Sequence, residues 1–95
     1  MEIVRLYDIV GKFAENKDLA KKIRLEVLLP ALASNRAVTF DFENMTGATQ
    51  SFIHALISEA MRQYGDRVYD NVFYKNAIPE IRQIISIVYR YMQAS

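Results

Sequence analysis

The chain reads as a small α/β domain, a mostly parallel sheet with covering helices in the order β-α-β-α-β-α. Three observations predict it. Short alternating or β-branched runs recur at "EIVRLYDIV", "VTFDF" and "VYDNVFY". Longer segments between and after them repeat their apolar residues at three- and four-residue spacing. The two kinds of segment alternate, which implies parallel strands joined by right-handed crossovers with helices over the sheet. At 95 residues the chain is expected to form one domain, 1–95, because domains commonly hold about 100 to 150 residues.

The elements follow in order. Residues 3–9 alternate Ile3, Arg5, Tyr7 and Ile9 against Val4, Leu6, Asp8 and Val10, predicting a strand with both faces at least partly covered and ending at Gly11. Asn16 or Asp18 caps a helix from about 17 whose stripe is Leu19, Ile23 and Val27, with Leu28 beside them. Pro30 lacks an N–H and crowds the carbonyl four residues earlier, so the helix is expected to stop near Leu29 or kink there. "SNR" at 34–36 makes the exit turn. A second strand at 37–42 sets Val38, Phe40 and Phe42 on one face and Thr39 and Asp41 on the other. Residues 43–49 are a loop. From about Gln50 the stripe Ile53, Leu56, Ile57, Ala60, Met61 and Tyr64 predicts a helix stopped by Gly65. "VYDNVFY" supplies a third strand, clearest at Val72 to Tyr74, and Pro79 opens a last helix with Ile81, Ile84, Ile85, Val88 and Met92 inward.

Composition narrows the function classes. The chain has no cysteine, which excludes disulfides, thiolate zinc sites and cysteine nucleophiles. Net charge is +1, with 12 basic and 11 acidic side chains interspersed, so no nucleic-acid partner is expected. Lys17, Lys21 and Arg24 recur at helical spacing and read as the solvated face of a helix. The N-terminus lacks the basic then apolar pattern of a secretory signal, and no apolar run approaches the roughly 20 residues of a membrane span. A cytoplasmic protein with no membrane partner is the expectation, with no cofactor and no metal. A small core leaves apolar surface over, so homo-oligomerisation is also expected, with Ile87 and Tyr91 on the last helix as its candidate surface.

The chemistry-bearing candidates gather where the second strand gives way to a helix. Asn44, Thr46, Gly47, Thr49, Gln50, Ser51 and His54 form the candidate partner surface. A hydroxyl at a helix start either caps free N–H groups or, phosphorylated, adds about −1.5 to −2 charges that the dipole favours. Capping is the reading given to Ser51, with Thr49 an equally good cap. Ser51 and His54, three apart, invite a nucleophile and base reading, but no third group orients the imidazole and no Gly-x-Ser-x-Gly elbow is present. Asp8 and Asp41 both end strands, and Asp41 is expected to accept N–H bonds from the following loop. Gly47 alone does not make a phosphate-binding loop. The tyrosines from 69 to 91 are read as core or interface.

Together "YDIVG", "VTFDFENM" and "SFIHALISEAMRQYG" resemble a bacterial STAS-like family of unknown function along essentially the whole chain, "DFEN" and "SF" being the most diagnostic pieces. The resemblance implies a fold similar to STAS domains, including anti-sigma-factor antagonists that work by partner switching. In those, an Asp-Ser-Ser-Gly segment opens the helix and its second serine is phosphorylated by a kinase. Laid without gaps over "VTFDFENMTGATQSF", that segment puts Ser51 at the phosphorylated position, Gln50 at the serine before it and Thr49 at the aspartate, while Phe52 replaces the glycine. Ser51 is thereby the candidate phosphosite and Thr49 a weaker one. The expected function is a non-catalytic regulatory protein-binding module, with a kinase-like ATPase as the partner the resemblance implies. A self-associating structural module is the alternative, and a small enzyme using Ser51 and His54 the third reading.

Overall fold

Strand formation stops at Arg5, earlier than the alternation suggests. The computed structural model describes residues 2–94, in which β1 spans Glu2–Arg5 and the chain turns at once into a short helix, α1, Leu6–Val10. The strand expected to run through Ile9 is corrected accordingly. Only Val4 and Leu6 of this stretch are buried, with Val10 packed at the core's margin, while Ile3, Tyr7 and Ile9 stay exposed. Asp8 lies 3.6 Å from the Arg5 guanidinium, an i,i+3 pairing that a helical turn brings about.

Gly11, at φ 80, closes α1. After β2 (Phe13–Ala14), α2 (Lys17–Ile23) starts at Asn16, whose side-chain oxygen accepts the N–H groups of Asp18 and Leu19. Pro30 does not stop this helix. A π-helical turn at Arg24–Leu28, with the Leu29 N–H bonded to the Arg24 carbonyl, widens the coil before α3 (Leu29–Ala33) continues it. In regular α geometry the proline ring would meet the Glu26 carbonyl, and the wider turn relieves that clash. Asn35 at φ 56 then makes the exit turn.

β3 (Val38–Asp41) follows, then β4 (Gly47–Ala48), α4 (Gln50–Tyr64), α5 (Asp66–Asn71), β5 (Val72–Lys75) and α6 (Pro79–Ala94). The third strand is shorter than expected. "VYDN" is helical because Val68 is fully buried and its carbonyl takes the Val72 N–H. Gly65 separates α4 from α5 with φ 50.

The main sheet has the order β1-β3-β5, and both pairings are parallel. The register aligns Val4, Phe40 and Tyr74 on one face and Ile3, Thr39 and Phe73 on the other. The first face carries the core, where Phe40 and Phe42 meet Phe52, Ile53, Leu56, Ile57, Ile81 and Val88, all fully buried. The second face is uncovered at its margins: Ile3 is 52% exposed and Phe73 45%. The expectation that the first strand is at least partly covered on both faces is corrected, because Ile3 and Arg5 are exposed, whereas the central β3 is buried on both faces and α4 packs against both α2 and α6. A second parallel pair, β2 with β4, aligns Phe13 with Gly47 and Ala14 with Ala48. Residues 43–49 are thus not wholly loop. Among the described residues no helix is long and apolar enough to cross a membrane.

Candidate functional site

The strand-to-helix junction is built by sewing the loop onto β2. The Thr46 N–H and hydroxyl both donate to the Lys12 carbonyl, at 2.8 and 3.3 Å, and the Thr49 N–H donates to the Ala14 carbonyl at 2.9 Å. Asn44 turns the chain at φ 70, a conformation asparagine tolerates better than most residues. Gly47 lies beneath the Phe13 ring, so close that a Cβ there would sit 2.7 Å from a ring carbon.

α4 is capped by Thr49 and not by Ser51. The Thr49 hydroxyl accepts the Phe52 N–H at 3.0 Å, the N-cap to N3 bond that satisfies one of the free donors of a helix start. Ser51 comes two residues later, inside the first turn, exposed and with no side-chain hydrogen bond to any described residue. The capping role expected of Ser51 is therefore corrected. Phe52 follows with its side chain fully buried, and it fixes the rotation of the helix that leaves Ser51 outward.

Tertiary packing then makes a shallow cavity of about 670 Å³ beside Ser51. Gln50, Ser51 and His54 line it from α4, Lys17 from the start of α2 and Tyr91 from α6. The His54 ring sits edge-on to Tyr91, with centroids 5.9 Å apart. Of the expected surface, Asn44 and Thr46 are exposed but do not line this cavity, Gly47 is buried, and Thr49 is half-buried by its cap. Lys17 and Tyr91 were not among the expected site residues, since each lies far from Ser51 in sequence. Arg24 leaves the solvated face it was assigned to, its guanidinium donating to the Ala55 carbonyl of α4 at 2.9 Å. No hydrogen bond joins Ser51 to His54.

At the carboxyl ends of the strands, the register aligns Arg5, Asp41 and Lys75. Asp41 is nearly buried and accepts the Glu43 N–H and the Asn76 amide, both at 2.9 Å, with the Lys75 ammonium at 4.0 Å. The Asn76 bond first and the Glu43 N–H next hold its carboxyl below the ordinary range, against the opposing effect of burial. Asp41 thus ties the loop and β5 to the central strand, the acceptor role read from the sequence. Asp8 is turned away into α1 and pairs with Arg5. Among the described residues, no group of three or more His, Asp or Glu side chains gathers in a way that could hold a metal ion. Tyr74 and Tyr89 share a hydroxyl–hydroxyl bond of 2.7 Å, and burial first, then the neighbouring hydroxyl, pushes the Tyr74 phenol up.

A small α/β domain with a parallel sheet and a hydroxyl-bearing strand-to-helix turn is the class these features define. The model of the family described as STAS-like domain of unknown function (DUF4325) matches residues 20–82, and the chain belongs to that family. The match opens inside α2 and closes in the first turn of α6, so "YDIVG" lies outside it and the resemblance is narrower than the whole chain. No curated protein and no solved structure gives a significant match.

Proposed function

We propose that the chain is a regulatory protein-binding module acting in the cytoplasm, and that the α4 start around Gln50, Ser51 and His54 is where a protein partner is read. The observation that carries this reading is the Ser51 hydroxyl. It is exposed and unbonded at a helix N-terminus whose capping is already done by Thr49. A side chain free of structural duty at such a place is open to modification. A phosphate there would gain the dipole and have Lys17, which lines the same cavity, as a nearby cation. The partner proposed is a kinase-like ATPase that phosphorylates Ser51 and is released by the charge.

Two measurements test it. Mass spectrometry of the protein isolated from its own cells is expected to find phosphate on Ser51. Titration calorimetry of the captured partner against the parent, Ser51→Ala and Ser51→Asp is expected to show Ser51→Ala binding like the parent and Ser51→Asp binding at least tenfold more weakly. Equal affinities for the parent and Ser51→Asp would defeat the switch.

A further inference from the structure

The two edges of the main sheet are unlike. β1 ends in charge: Glu2 lies 4.0 Å from Arg36, and Arg5 lies within 3.7 Å of Asp8 and Glu43. Charged side chains on an edge strand discourage another chain from pairing there. β5, "VFYK", has no proline and carries two aromatic residues, with Phe73 45% exposed at the margin of the second sheet face.

The backbone of β5 presents a defined set of free groups. The Lys75 carbonyl accepts the Phe42 N–H on the β3 side. Backbone groups of successive strand residues point to alternate sides, so those of Phe73 also face β3 and those of Val72 and Tyr74 face outward. The Val72 N–H is taken by Val68. What remains on the edge is the Val72 carbonyl and the N–H and carbonyl of Tyr74. Before β5, α5 carries Asp66, Arg67 and Asp70, the Arg67 guanidinium being turned to the Leu32 carbonyl at 3.2 Å, and Lys75, 4.0 Å from Asp41, ends the strand.

We propose that a second copy of this chain pairs antiparallel with β5 about a two-fold axis through Phe73, joining the two three-stranded sheets into one. In that register the Tyr74 N–H of each copy meets the Val72 carbonyl of the other. The Phe73 rings meet as a non-hydrogen-bonded cross-strand pair, whose Cα atoms approach to about 4.5 Å. Such aromatic pairs are a recurring stabiliser of antiparallel strands. Antiparallel pairing also sets the acidic end of each β5 against the basic end of the other, Asp70 toward Lys75, so the edge is complementary to itself. A parallel arrangement of the same edges would lay like charges together. The interface is isologous, as a two-fold dimer requires. It uses neither Ser51 nor His54 and stands apart from the function proposed above.

The test uses the full chain. Sedimentation is expected to show a concentration-dependent monomer–dimer equilibrium. Amide exchange followed by NMR across the same concentrations is expected to slow at Tyr74 at least fivefold on dimerisation, with the β1 amides unaffected. Phe73→Lys puts like charges on the two-fold axis at an already exposed position, and it is expected to raise the dimer Kd at least tenfold while circular dichroism and the monomer's melting stay near the parent's. Asp70→Lys, which leaves the strand itself intact, is expected to raise Kd at least threefold, an effect that shrinks in high salt. A strict monomer at millimolar concentration would overturn the proposal. So would a dimer that survives Phe73→Lys unchanged, or one whose protection falls on α6 around Ile87 and Tyr91 or on β1.

Discussion

The division of labour between Thr49 and Ser51 leads to an ordering of stabilities. Thr49→Ala removes the acceptor of the Phe52 N–H, a 3.0 Å bond at the start of α4, the helix that packs against both α2 and α6. Loss of such a cap costs about 0.5 to 2 kcal/mol, and the half-buried site places the expected value near ~1 kcal/mol. For a domain of this size that lowers Tm by about 4 to 8 °C. Ser51→Ala removes no bond and leaves Phe52 in place, so its effect is expected to stay within about 0.5 kcal/mol. Ser51→Asp adds a negative charge to the first turn, where the dipole contributes about 0.3 to 1 kcal/mol, with Lys17 lining the same cavity. The expected order is therefore Thr49→Ala least stable, parent and Ser51→Ala alike, and Ser51→Asp slightly more stable. Urea unfolding of the four proteins at low salt measures it. If Ser51→Ala falls as far as Thr49→Ala, or Ser51→Asp falls below the parent, the assignment of cap and free hydroxyl is wrong. The ordering bears on function, because a charge at 51 that weakens partner binding without destabilising the domain acts at the contact itself.

Two further perturbations probe the scaffold of the site. Asp41 has a folded-state pKa below its unfolded value, so its contribution is present above the unfolded pKa of about 4 and is lost as pH falls through the folded value. Asp41→Asn is expected to be less stable than the parent at pH 7 and to lose less stability on acidification below about pH 5, and chemical unfolding at pH 7 and pH 3 would show parallel losses in the two proteins if the carboxylate plays no such role. Gly47→Ala drives a methyl into the Phe13 ring, 2.7 Å from the nearest carbon. Because that ring is half-exposed and can swing away, the expected cost is modest, about 1 kcal/mol, and it should vanish in a Phe13→Ala background; additive losses in the double mutant would refute the contact.

Periodicity carried the helices. The stripe from Ile53 to Tyr64, the Pro79 start, the Gly65 stop and the Asn16 cap were all legible, because each depends on spacing or on a residue's own backbone chemistry. The parallel pairing was legible from alternation of strand and helix, and Asp41's hold on its following loop from its place at a strand end. Local pattern misled where burial decides. Residues 6–10 alternate like a strand, yet only Leu6 is fully buried while Val10 packs at the core's margin, and a strand beyond Arg5 would have no neighbour to pair with, since β3 ends at Asp41. Pro30 carried a stop signal, but the helix goes on because one wider turn is less costly than exposing Ala31 and Leu32, both fully buried. Two-residue strands such as β2 and β4 have no period to read, and which hydroxyl caps α4 turns on a single dihedral step at Thr49. The cavity beside Ser51 belonged to tertiary structure alone. Lys17, Ser51 and Tyr91 stand on three different helices, and only the packing of α2 and α6 against α4 brings them to one cavity.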